Sequence, residues 1–365
     1  MIINNIIEHL ELLAPTSLQE DYDNAGLICG NKNWPCTGVI ITLDATEAIV
    51  DEAIAAGCNC IVAHHPILFA AIKKLNGNNY VEQTIIKAIK NNIAIYAIHT
   101  NLDNVLHGVN GKIAALLQLQ HVQVLLPKAN CIKKLVSYCP LIHVHKVEQA
   151  LFAAGAGNIG NYSNCNFKVQ GQGTFTANEF ANPYIGEKNK PHIETEIKIE
   201  IVFNSWQQQS IIKALIAAHP YQEVAYQVFN IDNVQQNIGS GVVGTLATPI
   251  AEPQFLQLLK QKFNTLCIKH TAFLNKPISK VAICGGAGSF LIKYARQAKA
   301  DIFITSDVKY HEFFDAENDL LLADIGHFES EQYTTNLIFD ILKEKFPTFA
   351  VLKTKLNTNP VHYYI

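Results

Sequence analysis

The chain has no Cys-x-x-Cys motif, no apolar run long enough to span a bilayer and no excess of positive charge. Each absence removes a class of function. Nine cysteines, an odd number scattered singly except for the close pair Cys58 and Cys60, do not make a disulfide framework, so a reducing cytoplasm is the expected compartment. Without a long apolar run there is no membrane span. The opening MIINNIIEHLELLAP carries acidic residues and no Lys or Arg. It reads as an amphipathic helix ending before Pro15, not as a secretory leader. A formal net charge of -3 and a sequence pI near 6.5 leave no general basic field, which disfavours binding driven by a nucleic-acid backbone.

What is present is ordinary globular composition: 365 residues, 49% hydrophobic and 16% charged, enough for two or three domains with cores. Strand-like apolar runs alternate with helix-like segments in GVIITLDAT, AIVDEAIAAGC, CIVAHH, YVEQTIIKAIKNN and AIYAIHTNLD. That order predicts an α/β layer with buried, largely parallel strands. The same grammar returns in KVAICGGAG, SFLIKYARQAKA, DIFITSD, LLLADIGH and ESEQYTTNLIFDILKEKF.

Between the two ends the character changes. Residues 128–240 read as strand, helix, a Gly-, Asn- and Gln-rich stretch, the alternating strand IETEIKIEIVF, a helix ending at Pro220 and a last strand EVAYQVFNI. In the alternating strand Ile193, Thr195, Ile197, Ile199, Ile201 and Phe203 share one face; Glu194, Glu196, Lys198 and Glu200 share the other, predicted to be exposed. The β-α-β-β-α-β order is the split βαβ, or ferredoxin-like, pattern of an α+β domain. The expected organisation is therefore a two-part α/β domain made from residues 1–127 and 241–365, with residues 128–240 inserted.

The polar clusters fall at the carboxyl ends of the predicted parallel strands, the edge where open α/β sheets bind ligands. Asp44 follows one strand, His64 and His65 the next, His99 and Asp103 the third; Asp307, His311 and His327 follow strands near the other end. On a strand two adjacent side chains point to opposite faces, so His64 and His65 are expected to serve two ions rather than one. His327 and Glu331 are four apart and share a helical face. His64, His65, Asp103, His327 and Glu331 offer five N and O donors that suit Zn, Mn, Fe or Co. Five are too many for one three-ligand catalytic ion and fit two ions sharing a carboxylate, with Glu331 as the bridge.

Each signal has a plainer reading. A His-His pair by itself is more often a loop or a satisfied core histidine, and a His/Glu pair at i and i+4 is usually a solvated helix pair. Convergence on one sheet edge tips the balance toward metal. In CGGAGS, Gly285, Gly286 and Gly288 could present backbone N–H groups to a phosphate, or could only allow close packing. Cys284 lacks any spacing signature and reads as a structural thiol.

Taken together, NAGLICG, AHHPILF, HTNLDN, CGGAGSFL, TSDVKYHE and DIGHFESE resemble the GTP cyclohydrolase 1 type 2 homologue family, also called NGG-interacting-factor-three-like proteins, over essentially the whole chain. The resemblance implies a toroidal homohexamer with a dinuclear metal centre. By position it implies metal ligation by His64, His65, Asp103, His327 and Glu331, with His99 and His311 lining the cavity as candidate proton carriers. The middle segment resembles the PII- or CutA-like domain of the longer members. The expected function is a metal-dependent hydrolase on a nucleotide-like substrate, such as GTP opened at its purine ring; phosphoester hydrolysis and a non-enzymatic metal-binding or regulatory scaffold are the alternatives.

Overall fold

A computed structural model describes residues 1–364. The chain divides into a larger unit, Met1–Pro127 with Gln236–Ile365, and a smaller unit, Lys128–Gln235. The smaller unit stops at Gln235 and not at the expected 240, because Gly239 and Ser240 pair with Pro127 and Leu126 in a sheet of the larger unit.

The larger unit opens with a helix, Ile3–Leu13, whose Ile3, Ile6, Ile7 and Leu10 are buried at the 3.6-residue spacing of an amphipathic helix. Its first sheet has the strand order Gly26–Cys29, Ala94–Ala97, Cys60–Ala63, Val39–Thr42, Val351–Lys353. All neighbours run parallel except Gly26–Cys29, an antiparallel edge. The three inner strands are buried at every position, as apolar runs covered on both faces must be. Helices Glu47–Ala55 and Tyr80–Lys90 make the crossovers. They are capped by Thr46 and Asn79, whose side chains accept from the N–H groups of Ile49 and Glu82.

The second sheet is mixed. Its parallel strands Ile278–Ala287, Ile302–Ser306 and Leu321–Asp324 are flanked by Lys269–His270 on one side and by Gly239–Ile250 and Gln120–Pro127 on the other, all antiparallel. These antiparallel additions correct the expectation of a largely parallel layer: they carry many half-exposed residues, so they lack the continuous apolar run that announces a buried strand. Among the described residues no helix is long and apolar enough to cross a membrane.

The smaller unit is a four-stranded antiparallel sheet in the order Phe167–Thr176, Pro191–Asn204, Ile132–Pro140, Tyr226–Asn230. Helices Val144–Ala153 and Gln208–Ala218 bury Val147, Leu151, Ile211 and Leu215 against Ile197, Ile199, Ile201 and Phe203. The predicted alternation holds at those strand positions and fails at two kinds of place. Ile193, on the apolar face, is 63% exposed, whereas Glu196, on the face expected to meet solvent, is 8% exposed.

Candidate metal centre

The strand Cys60–Ala63 ends one residue before His64, so the pleat no longer sends the two histidines to opposite faces. His64 and His65 have ring centroids 5.0 Å apart and both turn toward Glu331, which corrects the opposite-face expectation. His64 is fully buried and His65 partly so. Asp103 closes the one-turn helix Thr100–Asp103, and the short helix His327–Glu331 presents both its end residues to the same point.

One carboxylate oxygen gathers three imidazoles. Glu331 Oε2 lies 2.9 Å from His65 Nε2, 3.1 Å from His327 Nε2 and 3.8 Å from His64 Nε2. His64 Nε2 is 3.7 Å from Asp103 Oδ1, and the Nε2 atoms of His65 and His327 are 3.3 Å apart. The ligand atoms of His65, His327 and Glu331 lie within 4.8 Å of one another, as do those of His64, Asp103 and Glu331 and those of His64, His65 and His99. Glu331 belongs to two of these groups.

Outer partners fix which nitrogen faces inward. His64 Nδ1 donates to the Ile98 carbonyl at 2.8 Å, His65 Nδ1 to Asp44 at 2.7 Å, His327 Nδ1 to Asp307 at 2.5 Å and His99 Nδ1 to Asp23 at 2.8 Å. With Nδ1 protonated, Nε2 is left as a lone pair aimed at the cluster, the tautomer that a metal ligand requires. Asp44 is held in turn by the Thr358 hydroxyl, and Asp23 by the N–H and hydroxyl of Thr100.

The consequence is a buried knot of acceptors without donors. His64 Nε2 and Asp103 Oδ1 are buried and have no hydrogen-bond partner, although they face each other. Two lone pairs in that position repel unless a cation lies between them. Protons fill the role where no metal does. Burial opposes charge on His65, but its bonds to Asp44 and Glu331 outweigh that and raise its pKa to about 9; the same balance with Asp307 and Glu331 takes His327 to about 11. Burial and then the charge on Glu331 hold the Asp103 carboxyl well above the usual carboxylate range. Burial pushes Glu331 up too, but the neighbouring imidazoles, His327 first, bring it well below its ordinary value. His64 is lowered by burial first. Such a donor set fits divalent cations, which would displace those protons.

Of these residues His65, Asp103, His327 and Glu331 line a cavity of about 660 Å³ that also takes in His99. Gly286 and Gly285 stand against it for steric reasons. A Cβ on Gly286 would overlap Glu331 Oε1, and Gly286 has φ +66°, the left-handed region that favours glycine. The phosphate reading of CGGAGS is corrected here. The Gly285 N–H donates to Asn110 Oδ1 at 2.8 Å and the Gly286 N–H to Ser330 Oγ at 3.0 Å, so neither is free for an anion, while a Cβ at Gly288 would overlap Thr305 and Cys284. Cys284 is buried, and burial raises its thiol far above the ordinary value, as a structural thiol requires.

The sequence-selected residues His64, His65, Asp103, His327, Glu331 and His99 are thus brought together. His311 is not: it is exposed, packs against Tyr310 and Phe314 and lies outside the cavity lining. Its correction has a geometric cause, since the turn after Ser306 is followed by a 3-10 helix, Tyr310–Ala316, that carries His311 onto the surface. Sequence reasoning missed Asp23 as the partner of His99, and the segment around Tyr363 that lines the same cavity. Asp23 precedes NAGLICG and so was in view; nothing in its spacing tied it to a histidine 76 residues away.

Residues 1–360 match the family described as Duf34/NIF3 (NGG1p interacting factor 3). The chain is 36% identical over 360 residues to the GTP cyclohydrolase 1 type 2 homolog of Halalkalibacterium halodurans, covering 97% of each chain. It is 33% identical to the protein of the same name from Bacillus subtilis, covering 97% of this chain and 96% of that one. A crystal structure of a Bacillus cereus protein related to NIF3 superposes with a TM-score of 0.84 at 36% identity, covering 100% of this chain and 99% of the other.

Proposed function

The chain belongs to the Duf34/NIF3 family, and from that premise and the acceptor-rich cluster we propose that it is a metal-dependent hydrolase with a two-ion centre, acting on a nucleotide-like substrate. The observation that carries this reading is the buried, unpartnered pair His64 Nε2 and Asp103 Oδ1, beside the Glu331 carboxylate that His65 and His327 also reach. His64, Asp103 and Glu331 would hold one ion, and His65, His327 and Glu331 the second, with Zn, Mn, Fe and Co all suited to nitrogen and oxygen donors.

Divalent ions in such a donor set supply Lewis acidity, lowering the pKa of water and polarising the centre that water attacks. The protein supplies orientation. Asp44 and Asp307 hold the rings of His65 and His327, and Asp23 holds His99 with its Nε2 free to take a proton at the reacting centre and return it to the leaving group. Opening of the GTP purine ring is the reaction that the names of the relatives suggest. The engaged N–H groups of Gly285 and Gly286 weigh against phosphoester hydrolysis that relies on that turn.

Metal-replete protein given GTP should release formate or a ring-opened formamide, with a change in the ultraviolet spectrum of the base and an intact triphosphate. Inorganic phosphate with an unchanged base would instead show a phosphoesterase. His65→Ala should abolish either signal. No turnover of GTP or simple phosphoesters across the four metals would favour a non-enzymatic metal-binding scaffold.

We read the assembly as a cytoplasmic homohexamer, for which nine free thiols support the reducing compartment and light scattering tests the mass. We read the smaller unit as an inserted ferredoxin-like domain of the PII or CutA kind. Its strand order supports this, as does the pairing of Pro127 with Gly239, which brings its two entry points onto neighbouring strands. Joining Pro127 to Gln236 through a short Gly/Ser linker should leave a soluble, metal-loaded protein; aggregation with every linker length would show that residues 128–235 complete the main core.

A further inference from the structure

Within the smaller unit, Glu196 breaks the pattern of its strand. It belongs to the polar face, opposite Pro140 and Gly171 on the neighbouring strands, yet it is 8% exposed. One carboxylate oxygen accepts the Tyr221 hydroxyl at 2.7 Å. The other lies over Gly173, where any Cβ would overlap it. Glu196 forms no ion pair among the described residues. Lys198, the nearest cation along the strand, is taken by Glu200 at 2.5 Å. Burial lowers the pKa of the neighbouring His219, whose Nε2 donates to the Tyr138 carbonyl and whose Nδ1 accepts the Tyr221 N–H, so that ring is neutral. A buried carboxylate without a countercharge is costly, and a fold that retains one has a use for it.

Glu196 lines a cavity of about 760 Å³ whose walls include Phe175, Tyr184 and Tyr221. The ring centroids of Phe175 and Tyr184 each lie 6.3 Å from that of Tyr221, and the Tyr184 hydroxyl is fixed by His143 Nε2 at 2.8 Å. Aromatic side chains and a carboxylate lining one cavity are a combination that recognises an organic cation: the π-electrons attract the charge, the apolar walls accept its alkyl groups, and the carboxylate neutralises it.

We propose that this cavity is a binding site for a small organic cation of the alkylammonium class, with Glu196 as its counter-ion and Phe175, Tyr184 and Tyr221 as its aromatic wall. The site is separate from the histidine cluster and requires no metal.

Calorimetric titration of the full-length protein with choline, and in parallel with 3,3-dimethyl-1-butanol, its uncharged isostere, tests the assignment. Choline should bind saturably at one site per chain, and the isostere at least tenfold more weakly. Glu196→Gln keeps the volume and an acceptor for Tyr221 while removing the charge; it should weaken choline at least tenfold with an unchanged circular dichroism spectrum. Tyr184→Leu, which leaves the carboxylate in place, should weaken it severalfold and serves if Glu196→Gln folds poorly. Equal binding of choline and its isostere would overturn the proposal, as would unchanged choline affinity in both variants. Absence of binding by choline, tetramethylammonium and agmatine at 10 mM would overturn it as well.

Discussion

Two cavities of this protein, one in each unit, are of similar size, about 660 and 760 Å³, and differ in chemistry. In the larger unit carboxylates stand against imidazole nitrogens that converge on one point, a donor set that suits a compact cation. In the smaller unit one carboxylate stands among rings, and the charge it calls for is diffuse and carries alkyl groups. A buried acid therefore does not by itself identify its ligand. The hardness of its neighbours does, through the number of lone pairs that can reach one point.

The larger unit's cavity should lose most when Glu331 is removed. Protein purified without chelator should carry close to two transition-metal equivalents per chain, and Glu331→Ala should lose most of them by elemental analysis; full retention in the double variant Glu331→Ala, His327→Ala would dismiss the site. Chelation tests whether metal supports only the larger unit. A ligand present at a thousand times its Kd stabilises by about 4 kcal/mol, so melting should fall by on the order of 10 °C. Trp206 lies in the smaller unit and Trp34 in the larger, so in Trp34→Phe the emission of Trp206 at 25 °C should not respond to chelator.

Smaller effects sharpen the contrast. Leu215 is fully buried in the core of the smaller unit, and Leu215→Ala should cost about 2–5 kcal/mol in denaturant unfolding while leaving metal content unchanged. Asp307→Asn removes the acceptor that orients His327, which should weaken metal binding by about 10–100-fold in a competition titration with a chelating dye. The least effect is electrostatic. Burial opposes the charge on Asp23, but bonds to His99 and Thr100 outweigh it and hold its carboxyl at about 2, below its ordinary 3.8. A depressed carboxyl stabilises fully above its unfolded value and loses that contribution as pH falls through the folded one. The urea midpoint of metal-free protein should fall between about pH 4 and pH 2, and Asp23→Asn should flatten that limb.

Much of the larger unit was legible because its inner strands are apolar at every position and its crossover helices repeat at 3.6 residues, so Val39–Thr42, Cys60–Ala63 and Ala94–Ala97 announce themselves. Gly239–Ile250 did not, since a strand with half-exposed residues and several glycines carries no such signal. The donors of the candidate metal cluster were legible for a similar local reason: each follows a strand whose end the sequence marks, and His327 and Glu331 share a helical face at a fixed spacing. His311 shows the limit of that reasoning, because following a strand places the start of a loop and not the direction the loop takes.

Backbone periodicity and local chemistry act over a few residues, so the apolar inner strands, the amphipathic helices and the residue types at their ends follow from the chain alone. Only the tertiary structure decided that His64 and His65 turn the same way, that Asp23, Asp44 and Asp307 choose the tautomers of His99, His65 and His327, and that Glu196 is buried beside Tyr221. Those outcomes rest on contacts between residues from 20 to 266 apart in the chain. Hydrogen-bond geometry and burial at that range are set by the packing of whole elements, which no local pattern encodes.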